Sequence, residues 1–339
     1  MALRFMDGFD HYTIPADLPR KYTAYNDSGS SIGLSAVTGR RAGSNALTLR
    51  ISIDYISLTL DDQGTWIMGF AINFSGTETA EFLKFFDNTN NAQATVALNS
   101  AGLLQLYRGS SSTLLATANT AIPINTWAYV EVKLSIAASG GVFEARINEQ
   151  VVATYTGNTK QSSTLATACR FQFIGRSTKY AIDDIYLCDG TGTINNGYLG
   201  DCRVDALKPV GSGTYAEFTP QGAASNWDCV DEATYDADAT YNATNVVGKR
   251  DSFDCSNLTS ITGAIYGVQL ATMARKDDAG TRALRSLTRV GGSDYEGATQ
   301  PVTTDYRYYT QVVEQNPNAA AAWTDTAINA AEFGYKVQA

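Results

Sequence analysis

The sequence is poor in the residues that most catalytic chemistry depends on. One histidine, His11, stands in 339 residues. A Ser-His-Asp or Cys-His arrangement would have to be built around it. The five cysteines (Cys169, Cys188, Cys202, Cys229, Cys255) are an odd number with no Cys-x-x-Cys pair, which argues against zinc and reads as buried thiols. The glycine clusters at Gly140, Gly190 and Gly291 lack the Gly-x-Gly-x-x-Gly spacing and the following helix of a phosphate-binding loop. Proline is scarce at 7 residues and charge low at 17%, against 44% hydrophobic and 11% aromatic residues with 19 Tyr. That composition is globular and β-leaning rather than disordered.

Basic runs are also missing. Arg40-Arg41 and Lys249-Arg250 are isolated pairs, and a formal charge of −9 argues against a nucleic-acid partner. No segment approaches the roughly 20 apolar residues of a membrane helix. The start, Met1 to Phe5, runs at once into Asp7 and Asp10 without the basic and apolar regions of a signal peptide. Synthesis in a cytoplasm is the expectation, with the cysteines as thiols. Without a secretory route the sequons at Asn26, Asn73, Asn242 and Asn257 carry no weight.

What is present is strand periodicity. In Trp127 to Ile136 the apolar residues Ala128, Val130, Val132, Leu134 and Ile136 hold even positions and Tyr129, Glu131, Lys133 and Ser135 odd ones, the period of a half-buried strand. Ser139-Gly140-Gly141 turns the chain, Phe143, Ala145 and Ile147 alternate, and Val151 to Tyr155 follows, a meander of antiparallel strands. Upstream, Leu47 to Tyr55 alternates on odd positions and the phase shifts at Ile56, Leu58 and Leu60, which predicts a bulge or bend. Further short runs at Trp66 to Phe74, Phe82 to Phe86, Ala94 to Leu98, Leu103 to Tyr107, Leu114 to Ala116, Phe171 to Phe173 and Tyr180 to Leu187 are separated by Asn, Gly and Ser. Regular short strands with no helical pattern between them predict an all-β sandwich.

Length predicts two domains: 1–190, a Gly-rich linker at 191–199, and a smaller β-rich domain at 200–339. In the second, strands are expected at Arg203 to Leu207, Ile261 to Met273, Ala283 to Val290 and Tyr306 to Val313, around the polar stretch Ala233 to Asn245. Thr324 and Asp325 offer caps to a short helix, Thr326 to Ala331, before Phe333 to Val337 returns to strand. Tyr306 to Val313, with one Arg and no Lys or Pro, is expected either inside its own sheet or paired across a subunit boundary in a homo-oligomer, a trimer or dimer.

The Trp127 strand, the Gly-bearing turn, the strand ending at Asn148 and the Ile182-Asp183-Asp184-Ile185-Tyr186 strand resemble the concanavalin A-like, laminin-G-type jelly roll over roughly Phe5 to Gly190. A second resemblance spans nearly the whole chain. Gly200-Asp201 with Arg203-Val204, Val230-Asp231-Glu232, Tyr241, Asp251-Ser252-Phe253, Ala274 to Asp277, Trp323-Thr324 and Phe333-Gly334-Tyr335-Lys336 resemble the C-terminal half of a recurrent tailed-bacteriophage structural protein. That group is similar in starting near a Phe-Asp-Gly-Phe-Asp sequence, here Met6-Asp7-Gly8-Phe9-Asp10. The resemblance implies a virion protein made in the host bacterial cytoplasm, with other virion proteins as partners and no catalytic motif to transfer.

Jelly rolls of this kind also serve as endoglucanases similar in a Glu-x-Asp-x-x-Glu strand, which is absent here. The nearest pairs, Glu78 with Glu81 and Asp183 with Asp184, read as structural. Asp61-Asp62 and Asp87 are read as solvated turn residues rather than calcium ligands. Tyr22, Tyr25 and Tyr107 are candidate sugar-stacking aromatics without a way to choose among 19 Tyr. No catalytic, metal or cofactor residue is assigned. The leading expectation is a non-enzymatic structural component on the outer surface of a tailed-phage particle, as a tail, baseplate or fibre component or a capsid decoration protein. The alternative is a lectin-like module that binds host glycan.

Overall fold

The computed structural model describes residues 2–29, 32–35, 39–161, 165–232, 235–259 and 262–338. The chain divides into two compact units, Met1–Val204 and Asp205–Ala339. Both are built almost wholly of antiparallel strands.

The first unit carries β1 (Leu3–Asp7), β2 (Ala24–Asn26), β3 (Gly33–Ser35), β4 (Ala46–Leu49), β5 (Tyr55–Gln63), β6 (Thr65–Phe74), β7 (Ala80–Phe86), β8 (Ala92–Leu98), β9 (Leu103–Arg108), β10 (Thr113–Ala121), β11 (Ala128–Ser135), β12 (Gly141–Ile147), β13 (Gln150–Gly157), β14 (Ala168–Ile174) and β15 (Tyr180–Asp189). One sheet runs β13-β12-β11-β6-β15-β4-β3 with β1 also on β15, and the other runs β10-β9-β8-β7-β14-β5-β2. This is the expected jelly-roll sandwich. Alternation puts Trp66, Phe70 and Phe74 of β6 inward, where they meet the opposite sheet edge-on. Trp66 stands 4.7 Å from Phe171, Phe70 5.1 Å from Phe173 and Phe74 5.3 Å from Phe82 between ring centroids, geometries that suit the ring quadrupoles. The Trp66 indole N–H also donates to the Ala168 carbonyl of the facing sheet at 2.7 Å. A small apolar gap in this core is lined by Phe5, Tyr22, Met68 and Phe171 among others.

The phase shift near Tyr55 marks a larger event than the expected bulge. The chain leaves one sheet at Leu49, turns through residues 51–53 with Ile51 and Ile53 exposed, and enters the other sheet at Tyr55. The inward side chains change parity because the strand changes sheets. Cys169 and Cys188 lie on β14 and β15 in opposite sheets, and no two of the five cysteines are joined by a disulfide.

The stretch expected as a linker is part of the first unit. Residues 198–204 are tied to the β11-β6-β15 face, and the division between units falls after Val204 rather than between Asp189 and Gly200.

The second unit holds β16 (Pro209–Ala216), β17 (Thr219–Gln221), β18 (Tyr241–Ala243), β19 (Arg250–Cys255), β20 (Val268–Ala274), β21 (Ala283–Val290), β22 (Ser293–Glu296), β23 (Gln300–Pro301), β24 (Arg307–Val313), α1 (Asp325–Asn329) and β25 (Glu332–Val337). A sheet of order β16-β19-β25-β21-β22, with β23 on β21, is accompanied by the ribbons β17-β18 and β20-β24. The expected strands at 283–290, 306–313 and 333–337 and the helix are present. Arg203 to Leu207 has no strand, because Val204 is held by Asp184 instead of a neighbouring strand. The strand expected from Ile261 begins at Val268, and Ile261 lies outside the described residues, as do residues 233–234 of the polar stretch. Tyr306 to Val313 is neither central in a sheet nor bare: β24 pairs with β20, while the Thr310 and Val312 carbonyls accept from the side-chain amides of Gln300 and Gln311.

Candidate functional site

In the first unit three places gather polar chemistry. The first is the β11-β6-β15 face. Tyr129 and Glu131 hold the odd, outward positions of β11, yet both are buried. The cover is the 198–204 segment. Glu131 Oε1 accepts from the Tyr186 hydroxyl at 2.5 Å and from Gly200 N–H at 2.9 Å, and Tyr186 Oη accepts from Leu199 N–H at 3.1 Å. Gly69 lets Tyr186 lie flat on the sheet, since a Cβ there would stand 2.0 Å from its ring. Gly200, at φ +80°, adopts a turn that side chains disfavour.

Asp183 and Asp184 belong to the same clasp. Asp184 sits at a register shift in β15 with φ 49°. Its Oδ1 accepts from Val204 N–H at 2.8 Å, and its Oδ2 pairs with Arg40 at 3.1 Å and Arg41 at 2.7 Å. Asp183 accepts from the Arg40 and Asp184 backbone N–H groups. Burial, then the neighbouring Asp184 charge, push its carboxyl up to about 7. The pair ties Val204 and the Arg40-Arg41 stretch to β15.

The second place is the N-terminal node. Asp7, at the end of β1, is fully enclosed. Its Oδ1 accepts from Phe9 N–H at 2.9 Å, and its Oδ2 accepts from Tyr12 at 2.8 Å and Tyr22 at 3.1 Å and pairs with the Lys21 ammonium at 3.1 Å. His11 bridges the pair, with Nε2 3.4 Å from Lys21 Nζ and Nδ1 3.8 Å from Asp7 Oδ1. Burial pushes the Asp7 carboxyl up, but the charges of Lys21 and His11 outweigh it and the net is below the ordinary range. For Lys21 burial prevails and the amine is pushed down. Tyr22, expected as a surface aromatic, is therefore a core residue, while Tyr25 is half-buried and donates to Asp27.

The third place is the outer face of the seven-strand sheet. Register aligns Tyr107 of β9, Thr95 of β8, Lys84 of β7 and Gln172 of β14 in one row across it. Gln105 and Glu81 flank the row on one side, and Phe86, with the Arg170 guanidinium 4.1 Å from its ring, on the other. Tyr107 is the sugar-stacking candidate that the fold does place on a partly exposed face.

The remaining candidates are spent on local ties. Glu78 holds Arg176 at 3.3 Å, and Glu81 holds Lys84 at 2.5 Å. Asp61 and Asp62 lie within β5 rather than in a turn, bound to Arg4 and to Asn88 and Thr167. Asp87 is buried and accepts from Thr89, Asn91 and Gln93. No group of three or more His, Cys, Asp or Glu among the described residues could hold a metal ion, and no described helix is long and apolar enough to cross a membrane. The 198–204 clasp was missed because its partners are backbone N–H groups, which leave no mark in residue types; the one legible sign was the apolar Tyr129 on a supposedly solvated face.

The sequence matches no protein-family model and no curated protein. Among solved structures, a cellulose-induced protein, Cip1, is 13% identical over 54% of this chain and 96% of its own, with a TM-score of 0.39. The alginate lyase Aly36B is 12% identical over 54% of this chain and 95% of its own, with a TM-score of 0.36. A Bacillus subtilis protein of unknown function with a galectin-like fold is 12% identical over 56% of this chain and 96% of its own, with a TM-score of 0.37. At such distance these likenesses carry no argument about activity.

Proposed function

We propose that this chain is a non-enzymatic structural component on the outer surface of a tailed-bacteriophage particle, with other virion proteins as its partners. The observation that carries the reading is where part of the phage resemblance lies: Asp7, Gly8, Asp10, Asp251 to Phe253 and Phe333 to Tyr335 hold the frame. Asp7 and Asp10 anchor the N-terminus, with Asp10 Oδ1 accepting from Asn45 N–H at 2.6 Å, and Gly8 packs where a Cβ would meet the Val204 carbonyl at 2.5 Å. In the second unit Asp251, Ser252 and Phe253 of β19 pair with Tyr335, Gly334 and Phe333 of β25, and the Tyr335 hydroxyl reaches Asp251. Residues that fix two separate frames support a shared architecture with a structural protein. Carboxylates consumed in buried ties support a role without catalysis. Assembly into a homo-oligomer through the second unit belongs to the same proposal. Mass spectrometry of purified particles tests it: the chain is expected among the virion proteins, and its absence refutes the reading. Copy number then separates a tail-tip component from a decoration protein.

A second reading is favoured by the partly exposed Tyr107, Lys84 and Gln172: the outer face of the seven-strand sheet binds a glycan, with Tyr107 stacking on a sugar ring. A glycan array with the full chain, repeated with Tyr107→Ala, tests it. Binding lost in the variant supports this reading, and no binding by the parent chain removes it.

A further inference from the structure

We propose that Asp7 and Lys21 join through a self-formed isopeptide bond, closed by the His11 imidazole acting between them. The geometry is that of a reaction held ready. Lys21 Nζ lies 3.1 Å from Asp7 Oδ2, both side chains are sealed from solvent, and the rings of Phe5 and Tyr12 stand 4.9 and 5.8 Å from the ammonium. Both backbones are fixed, Asp7 by β1 pairing with β15 and Lys21 by its N–H to the Leu18 carbonyl at the end of the Pro15–Arg20 turn of helix. Fixed proximity of this kind replaces a bimolecular encounter.

The proton path is also present. His11 Nε2 faces Lys21 Nζ and Nδ1 faces Asp7 Oδ1, so one imidazole can take a proton from the ammonium and give one to the carboxylate. The neutral amine then attacks Cγ. The negative charge that develops on Oδ2 meets the Tyr12 and Tyr22 hydroxyls already donating to that atom. His11, 23% exposed, returns to its Nδ1–H form by proton exchange with solvent; a second proton then passes from nitrogen through it to Oδ1, the Cγ–Oδ1 bond breaks, and Oδ1 leaves as water. Of the three ammonium protons, two depart in that water and one remains as the amide N–H. The product gives up only the Phe9 N–H contact to the departing Oδ1: Oδ2 stays the acceptor for both tyrosines, and Nζ retains the Met6 carbonyl 3.4 Å away. A neutral amide also removes two charges from an apolar enclosure, where an ion pair is costly to hold.

Intact mass spectrometry of the full chain under denaturing conditions tests this. The parent protein is expected one water lighter than its sequence, and protease mapping is expected to give a branched peptide joining Asp7 to Lys21. Lys21→Arg should restore the full mass. A water loss that survives Lys21→Arg would come from a succinimide at Asp7-Gly8 and overturns the proposal, as does a parent chain at full sequence mass with Lys21 unmodified. His11→Gln should slow closure by about a hundredfold, read as the fraction at full mass over time; a variant that closes as fast as the parent overturns the relay. The parent measurement decides the bond even where a variant fails to fold.

Discussion

In the first unit the side chains that fix the fold are Trp66, Phe70, Phe74, Phe82, Phe85 and Phe143, all fully buried between two sheets. In the second unit polar nodes stand beside an apolar cluster of Val290, Trp323, Ile328 and Ala331. Asp251 is fully buried and accepts from Glu217 N–H, Phe218 N–H and Asn226, while Glu332 gathers Thr214 and Ser252 and Asp294 gathers Arg250, Arg289 and Tyr215. Apolar burial is non-directional and scales with area, so a sandwich core tolerates repacking. A polar node is directional, and a single missing partner leaves buried donors unsatisfied. The two units should therefore respond differently to substitution.

The sharpest break comes from Trp66→Ala. It empties the largest fully buried side chain, removes the edge-on contact with Phe171 and leaves the Ala168 carbonyl without its donor. The expected loss is about 3–5 kcal/mol, read as a lowered midpoint in denaturant for the first unit. In the second unit Asp251→Ala should cost roughly 2–3 kcal/mol by stranding the Glu217 and Phe218 N–H groups and the Asn226 amide. An apolar-scale cost near zero at Asp251 would show that the second unit rests on Leu287 and Phe253 after all.

The same contrast explains which parts of the fold were legible in the sequence. Alternation marked β6, β11, β12 and β15 because each buries one face against another sheet. In β16, Val210-Gly211-Ser212-Gly213-Thr214 offers no apolar phase, and β19 reads Arg-Asp-Ser-Phe-Asp-Cys, so two neighbouring strands of the second unit were missed. Their register is set by hydrogen bonds such as Tyr215 N–H to Ser252 Oγ, which composition does not announce. The candidate sites divide in the same way. The Asp183-Asp184 strand was legible, whereas Arg40, Arg41 and Val204, which hold Asp184, come from 144, 143 and 20 residues away in sequence.

A pH measurement sharpens the comparison further. Asp183, raised to about 7, binds a proton in the folded first unit at pH values where the unfolded chain has released it. The folded state then holds more protons between the ordinary carboxylate range and about 7, so this group's contribution to stability falls as pH rises through that window, by at most about 1.4 kcal/mol per pH unit. Asp183→Asn mimics the protonated form and should flatten the profile. Thermal melts from pH 4 to 8 check it, with an unchanged slope counting against the assignment.

The smallest expected effect lies at α1. α1 has five residues, Asp325–Asn329, too few to persist on propensity, since fixing a first helical turn costs more than its hydrogen bonds return. Two things hold it. Ile328 packs with Val290, Trp323 and Ala331 in the second unit's apolar cluster, and Thr324, extended at φ −116° and ψ 157°, accepts from Ala327 N–H at 3.1 Å through its hydroxyl. Thr324→Ala removes only the second and should cost about 1 kcal/mol, while Thr324→Ser keeps the oxygen and should recover most of it. The readout is the denaturant midpoint of the second unit at unchanged slope. If Thr324→Ala costs nothing measurable, apolar packing through Ile328 alone holds the helix, and at this place the second unit is built like the first.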